Sequence, residues 1–331
     1  MRFLYIGMNN LGSTSGMRAK ALQQILKPGD FKIIDTSIPF FETLRLFRSI
    51  GFRYKFGPFI TKLNKFILTS ITEELYDLIW IDKASFISPT TAHIIKQKAG
   101  KLVHFTPDTA FFQNRSRLFE RSLPYYDYFI TTKSFDLDRY PIEKTILISQ
   151  GFDTAIHKSH HSFEEKTREV VFVGLFEPYR GEVIQLLLEA GIRVTVAGKK
   201  WNKFNHLQHP LFEYLGDELL GESYAQVISS SLFGLGLLSK RFPELHTTRT
   251  FEIPACGTAL ITERNKETAK FFEEGEVIFY KLPEELPPLI NYYKLNKLSL
   301  KNMTLKTQAK IVTSGFDYYS ILQNALFKIW N

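Results

Sequence analysis

Two stretches of the chain concentrate residue types that hold phosphorylated ligands. The first is Pro243–Gly257 (PELHTTRTFEIPACG), where Glu244 and Glu252 stand with seven residues between them. A carboxylate such as Glu252 can accept hydrogen bonds from both hydroxyls of a ribose, as acidic residues do in dinucleotide sites. Thr247 and Thr248 are placed to cap a helix entering Phe251–Ala255. Its free amides, with Arg249 and Lys240 nearby, are expected to form an anion site. The second stretch is Val173–Gly181 (VGLFEPYRG). A strand ends at Gly174, a turn follows with Pro178, and Arg180 opens a helix. Its charge adds to amides that already favour an anion.

The amino-terminal half supplies further candidates. His104 lies in the apolar run KLVHFT, and Asp108 lies in the loop after it. A carboxylate at that edge binds acceptor hydroxyls or acts as a base, or it caps a helix. Asp136-Leu137-Asp138 has the form of a metal-binding triplet, but it falls at a helix start after Ser134. His157, His160 and His161 have no carboxylate or cysteine at ligand spacing, so Ile156–Lys166 reads as a polar linker and no metal is expected. Cys256 reads as a small packed residue rather than a nucleophile.

These residues need a frame, and the hydrophobic pattern supplies one. Continuous apolar runs at Arg2–Ile6, Phe31–Asp35, Tyr76–Asp82, Lys101–Thr106, Tyr128–Thr132 and Thr145–Ser149 alternate with helical patterns, the first helix at Met17–Leu26. The pattern restarts after Gly151 with strands at Glu169–Val173, Arg193–Ala197, Leu232–Leu238, Ala259–Thr262 and Val277–Tyr280. Helices are expected near Gly181–Ala190, at Pro287–Lys294, Ser299–Ile311 and Phe316–Trp330. Strands of this kind argue for parallel sheets covered on both faces. The expected organisation is an amino-terminal α/β domain over residues 1–150 and a second over 151–315, with a terminal helix over 316–331 packing back on the first. Ligands of such sheets bind outside the carboxyl ends of the strands, where the loops above lie.

The chain has 331 residues, 44% of them hydrophobic and 23% charged, which excludes a disordered or fibrous class. No run reaches the ~20 apolar residues of a membrane span, and one cysteine fits the cytosol. The net charge is +8, and Phe40–Ser70 carries six basic residues (Arg45, Arg48, Arg53, Lys55, Lys62, Lys65) against Glu42 alone. Within it Phe56, Phe59, Ile60, Leu63, Phe66 and Ile67 follow helical spacing. Such a segment either covers a core with its lysines solvated or lies on an anionic membrane. No nucleic-acid motif accompanies the charge.

Three strings carry a resemblance: SQGFDTAIHK (Ser149–Lys158), VFVGLFEPYRG (Val171–Gly181) and LHTTRTFEIPACGTALITER (Leu245–Arg264). Together with ETAKFFEEGEVIFY, LIWIDK and SLPYYDYFITTKSF they resemble the CgeB-like (spore-protein) glycosyltransferases. These are related to the retaining family that carries an E-x7-E motif on the GT-B fold. The resemblance implies an α/β GT-B enzyme, with two Rossmann-like domains whose parallel sheets face each other across a cleft. It would transfer a hexosyl-type sugar, with retention and without metal or other cofactor, from a nucleotide-diphosphate donor held by the second domain to an unknown acceptor on the first. Polysaccharide biosynthesis in the cytoplasm is the implied setting. By position, Glu252 resembles the ribose-holding glutamate, Glu244 the one that touches the donor sugar, and Arg180 the phosphate-binding lysine. Leu175 stands where a companion arginine is expected, and Lys240 or Arg249 would replace it. Gly12 matches a glycine-rich turn that lets a substrate approach the backbone. The rival readings are an epimerase or phosphorylase on the same fold, and a non-catalytic nucleotide-sugar-binding protein.

Overall fold

A computed structural model describes residues 1–112 and 114–331. The chain divides into two compact units, one formed by Met1–Ser149 with Tyr318–Asn331 and the other by Gln150–Asp317.

In the first unit, β1 (Arg2–Gly7), β2 (Asp30–Asp35), β3 (Tyr76–Asp82), β4 (Ala99–Thr106), β5 (Tyr128–Thr131) and β6 (Thr145–Leu147) form one sheet in the order β2-β1-β3-β4-β5-β6. Every pairing is parallel. Leu78, Ile79, Trp80 and Ile81 of β3 are all buried, so both faces are covered and the continuous apolar run is explained. The helix Pro58–Ser70 starts with proline in its first turn and buries Phe59, Ile60, Leu63 and Ile67. These pack with Leu4 and Ile6 of β1, the core role the spacing predicts. The terminal helix Tyr318–Trp330 packs on the helix Thr14–Leu26. The Lys101 ammonium donates to the carbonyl of Ile329 at 2.7 Å and lies 4.8 Å over the Trp330 ring.

The second unit repeats the plan with β7 (Arg168–Val173), β8 (Val194–Ala197), β9 (Phe212–Tyr214), β10 (Ser231–Leu235), β11 (Ala259–Glu263) and β12 (Ile278–Tyr280). Their order is β12-β11-β10-β7-β8-β9, again all parallel. In both sheets the chain leaves its first strand to one side and later returns to pair on the other. The reversal falls between β1 and β3 in one unit and between β7 and β10 in the other. Such switch points leave a crevice at the strands' carboxyl ends, which is where doubly wound sheets bind ligands. Among the described residues no helix is long and apolar enough to cross a membrane.

Candidate functional site

The β7/β10 switch gathers the basic residues. β7 ends at Val173, and its loop leads into the helix Pro178–Glu189, which places Arg180 in the first turn. Arg180 is only 5% exposed, although an arginine is rarely buried without a partner. Its guanidinium donates to the carbonyl of Leu175 at 2.9 Å and lies 3.3 Å from Glu177. The residue standing where a companion arginine was expected thus anchors Arg180 through its backbone. Arg249 comes from the short helix Arg249–Ala255 and reaches the same place. It donates to the carbonyls of Val173 at 3.3 Å and Leu237 at 3.1 Å, the latter shared with Arg180 at 3.5 Å. Both guanidinium carbons sit 5.5 Å from the Phe172 ring centroid.

Two like charges at one ring oppose each other. Burial, and then the field of Arg249, pull the Arg180 guanidinium down to about 10. Neither Nε has a hydrogen-bond partner among the described residues. The nearby acids do not cancel the charge. Glu177 is buried, accepts from the Ser239 hydroxyl at 3.0 Å, and has Arg241 at 3.9 Å. Glu244 accepts from the Ser239 amide at 2.8 Å and attracts Arg180 electrostatically. Arg180, Arg241 and Arg249 therefore face Glu177 and Glu244 at a helix amino terminus that has no side-chain cap. The excess is positive, and what it can hold is an anion.

The close approach of two loops shapes this place. Gly198 follows β8 at φ +136°, and a Cβ there would meet the carbonyl of Gly174 at 2.0 Å. That carbonyl accepts from the Trp201 indole at 2.9 Å, which ties the loops after β7 and β8 together. A Cβ on Gly174 would crowd the Phe172 ring at 2.8 Å, the ring on which both arginines rest.

Other predicted residues take different roles. Glu252 is 5% exposed; its Oε2 accepts from the Tyr224 hydroxyl at 3.0 Å, and its Oε1 is 3.7 Å from His157 Nε2. His157 is buried and bonded to the backbone of Asp153, and the amides of His160 and His161 donate to the Ser229 hydroxyl. The segment read as a polar linker is therefore packed onto the second unit through its backbone. The expected threonine cap is also absent. Thr248 stands at the cap position in helical conformation (φ −56°, ψ −38°) and makes no side-chain cap bond. Instead the Thr247 amide donates to the Thr250 hydroxyl at 3.1 Å. The helix it opens has seven residues and offers no amide site of its own. Lys240 is committed to Glu263 at 2.6 Å and lies 4.8 Å over Tyr179. The Cys256 thiol is buried, and burial pushes its pKa up, away from nucleophilic use.

In the first unit, His104 is 2% exposed and sits 4.4 Å from Phe119, with Tyr126 and Phe129 around it. Burial holds its imidazole down to about 3, so it stays neutral and packs rather than exchanging protons. Asp108 pairs with Lys83 at 2.8 Å. Burial opposes its ionisation, but Lys83 overrides that and keeps the carboxyl below its ordinary range. Gly12 follows β1 at φ +74°, a conformation glycine adopts freely, and it belongs to the first unit. Asp136 is buried and accepts from Thr109 at 3.1 Å and the Ala110 amide at 2.9 Å, while Asp138 is exposed.

Sequence reasoning passed over four groups. Arg18 and Asp82 form a buried pair, Nε to Oδ2 at 2.8 Å and Nη2 to Oδ1 at 3.1 Å, with the Tyr5 hydroxyl also donating to Asp82 at 2.8 Å. The signal was present in LIWIDK, an aspartate closing an otherwise apolar strand. Glu177 precedes Pro178 in the stretch already singled out. His246 accepts at Nε2 from the Gln150 amide at 3.0 Å and meets Glu267 at 2.5 Å through Nδ1, an arrangement only the fold reveals.

Residues 180–326 match a family model described as glycosyl transferase-like. No curated protein matches the chain. Among solved structures, HepE of Anabaena in complex with UDP and glucose is 16% identical, with 100% of this chain and 99% of that one covered at a TM-score of 0.69. Sucrose-phosphate synthase of Thermosynechococcus elongatus is 12% identical over 100% and 99% at 0.70. An E. coli structure described as trehalose-6-phosphate bound with UDP-2-fluoro glucose is 13% identical over 98% of both chains at 0.62. The two parallel Rossmann-like sheets are those of the GT-B glycosyltransferase fold.

Proposed function

We propose that the protein is a glycosyltransferase that takes a sugar from a nucleoside-diphosphate donor, with uridine the first base to test. The observation that carries this reading is the arginine pair on Phe172, an uncancelled positive charge built into the β7/β10 switch. The family match over residues 180–326 and the UDP ligands of the fold neighbours support it. The anomeric carbon–oxygen bond breaks with its electron pair going to the diphosphate. The acceptor oxygen bonds to the anomeric carbon, and its proton ends on the departing phosphate. Arg180 and Arg249 stabilise charge where it grows, so they act more strongly in the transition state than in the ground state. With guanidinium countercharge in place the step needs no metal or other cofactor, and we assign it a retaining course.

Glu252 is the proposed acceptor for the ribose hydroxyls, with Tyr224 and His157 fixing its carboxylate. Glu244 is assigned to the donor sugar, while Thr247, Thr248 and Gly174 line the approach as backbone. The first unit is assigned the acceptor side, and the resemblance of the sequence strings to the CgeB-like enzymes supports a role in polysaccharide synthesis in the cytoplasm. In calorimetry, UDP binds the wild type at least tenfold more tightly than uridine, and Arg180→Ala removes most of that difference. Equal affinity for UDP and uridine in wild type overturns the phosphate assignment. Release of free sugar or transfer product from UDP-glucose separates an enzyme from a binding protein.

The same reading includes peripheral contact with anionic membrane. Phe41, Leu44, Leu46, Tyr54 and Phe56 are exposed in the segment that carries the net basic charge, and among the described residues Lys62 is the cation there that pairs with a carboxylate, Glu42 at 2.9 Å. Each added basic residue near an anionic surface contributes about 1 kcal/mol. The protein pellets with acidic vesicles at low salt and not with neutral ones, and failure to pellet removes this contact.

A further inference from the structure

The β1/β3 switch of the first unit holds a cavity of about 220 Å³ that the arginine chemistry leaves unused. Its wall is aromatic and aliphatic, with Phe40, Phe52, Phe59, Phe86, Leu63 and Ile67 among its lining. The rings lock one another: Phe52 and Phe86 lie at 4.7 Å edge to face, Phe59 and Phe86 at 5.4 Å, and Phe40 and Phe52 at 5.7 Å. The Lys55 ammonium rests 4.7 Å over Phe86, and the Arg48 guanidinium rests 4.7 Å over Phe40. Asp82, Lys83 and Asp108 also line the cavity. Asp82 is spent on Arg18 and Tyr5, whereas Asp108 keeps a side chain that is 46% exposed. Lys83 reaches it from a left-handed backbone at φ +64°, a conformation uncommon for a residue with a Cβ.

An apolar cavity of about 150 Å³ admits benzene, so this one has room for a ring with a short extension. Most of its surface is apolar, while hydroxyl side chains such as Ser15, Thr36 and Thr106 line it beside the charged residues and suit a ligand that is apolar at one end and hydroxylated at the other. We propose that this cavity takes the apolar end of the sugar acceptor, and that the acceptor is an amphiphile with an aryl or short-alkyl group joined to a hydroxylated head. The head lies against Asp108, which accepts a hydrogen bond from one hydroxyl. The inference rests on the glycosyltransferase reading for the word acceptor, while the binding site itself does not.

The test compares phenyl β-D-glucopyranoside with methyl β-D-glucopyranoside by NMR titration on the full chain. The two share a head and differ only in the ring. The phenyl glucoside binds at least tenfold more tightly. Phe52→Ala, at a half-exposed wall residue, and Met8→Trp, which fills the cavity from its rim, each reduce that preference to less than threefold. Asp108→Asn weakens both glucosides by a similar factor and leaves the preference intact. Equal affinity for the two glucosides in wild type, absence of binding by either, or a preference that survives both cavity variants overturns the proposal. UDP titrated into the same samples separates this from the reading beneath it. UDP binding without glucoside preference sinks the amphiphile alone; preference without UDP binding leaves an apolar-ligand site and removes the uridine donor from the reading beneath it.

Discussion

At the β1/β3 switch a buried arginine meets a buried carboxylate through two hydrogen bonds, and the cavity beside the pair has a mainly apolar surface. At the β7/β10 switch two arginines rest on one phenylalanine and face fewer acids than bases. Both sheets are parallel and reverse once beside their first strand, with one strand before the reversal in the first unit and two in the second. The difference in ligand class lies in how charge is balanced at the strand ends. A balanced buried charge is part of the scaffold, and the space beside it suits apolar groups. An unbalanced one is held in place by carbonyls and ring faces, and it is completed when an anion arrives. A switch point gives the location of a ligand, while its charge balance gives the ligand's class.

The strongest way to break this contrast is to unbalance the balanced site. Arg18 is 0% exposed, and Asp82 without it would be a buried carboxylate with Tyr5 as its remaining donor. Arg18→Met is expected to destabilise the fold by about 3–5 kcal/mol, the usual result of orphaning one member of a buried pair. Arg18→Met with Asp82→Leu recovers most of that, because removing both charges avoids the desolvation penalty. Urea denaturation reads both numbers. A double variant as unstable as the single would show that the pair matters through shape rather than through charge.

The opposite behaviour is expected at the unbalanced site. Arg180→Gln relieves like-charge crowding with Arg249 and leaves Glu177 its Ser239 and Arg241 partners, so the stability loss stays well below that of Arg18→Met. UDP affinity falls roughly tenfold to a hundredfold, because a charge-assisted hydrogen bond is worth about 1.5–3 kcal/mol. A large stability loss with unchanged affinity would make Arg180 a scaffold residue like Arg18, and the contrast would collapse.

Much of this was legible beforehand, and for a physical reason. Strands buried on both faces read as continuous apolar runs, and both parallel sheets are present as expected, with β9 the strand the sequence pattern missed. The helix Pro58–Ser70 shows its buried stripe directly in its spacing. What stayed hidden depends on partners distant in sequence. The segment 156–166 has no apolar period because it packs through backbone amides onto Ser229. The Thr248 cap failed because local residue type does not fix backbone conformation, and Thr250 supplies the hydroxyl instead. Arg180 and Arg249 were both visible as cations, but their sharing of Phe172 and Leu237 is a property of the fold.

A third test uses acid. Burial holds the His104 imidazole down to about 3, so between roughly pH 6.5 and 3 the unfolded chain binds a proton that the native one refuses. Its contribution to stability is therefore complete above the unfolded pKa and is lost as pH falls, at up to about 1.4 kcal/mol per pH unit. His104→Leu removes that share. Between pH 6 and pH 4 the unfolding free energy of the variant should fall less steeply by nearly that amount. Parallel slopes would mean the ring is protonated in the native state, and His104 would return as a candidate for proton exchange.

The smallest effect is expected where charge is balanced at the surface of the unbalanced site. Lys240 stands close in sequence to the acids of the β7/β10 switch, and by proximity alone it would rank with Arg180 as a phosphate ligand. Its ammonium is instead paired with both oxygens of Glu263 at 2.6 Å, with its side chain 44% exposed. An exposed pair is worth about 0–1 kcal/mol, and its field is screened within about 8 Å at physiological salt. Lys240→Gln should cost less than about 1 kcal/mol of stability. Because the substitution leaves Glu263 uncompensated, UDP affinity falls slightly, by about twofold at low salt and less at high salt. Calorimetry at two ionic strengths, run beside Arg180→Gln, separates the two kinds of cation. A loss for Lys240→Gln as large as that for Arg180→Gln would mean that Lys240 leaves Glu263 for the diphosphate, and that pairing in the free protein does not identify which charges serve the ligand.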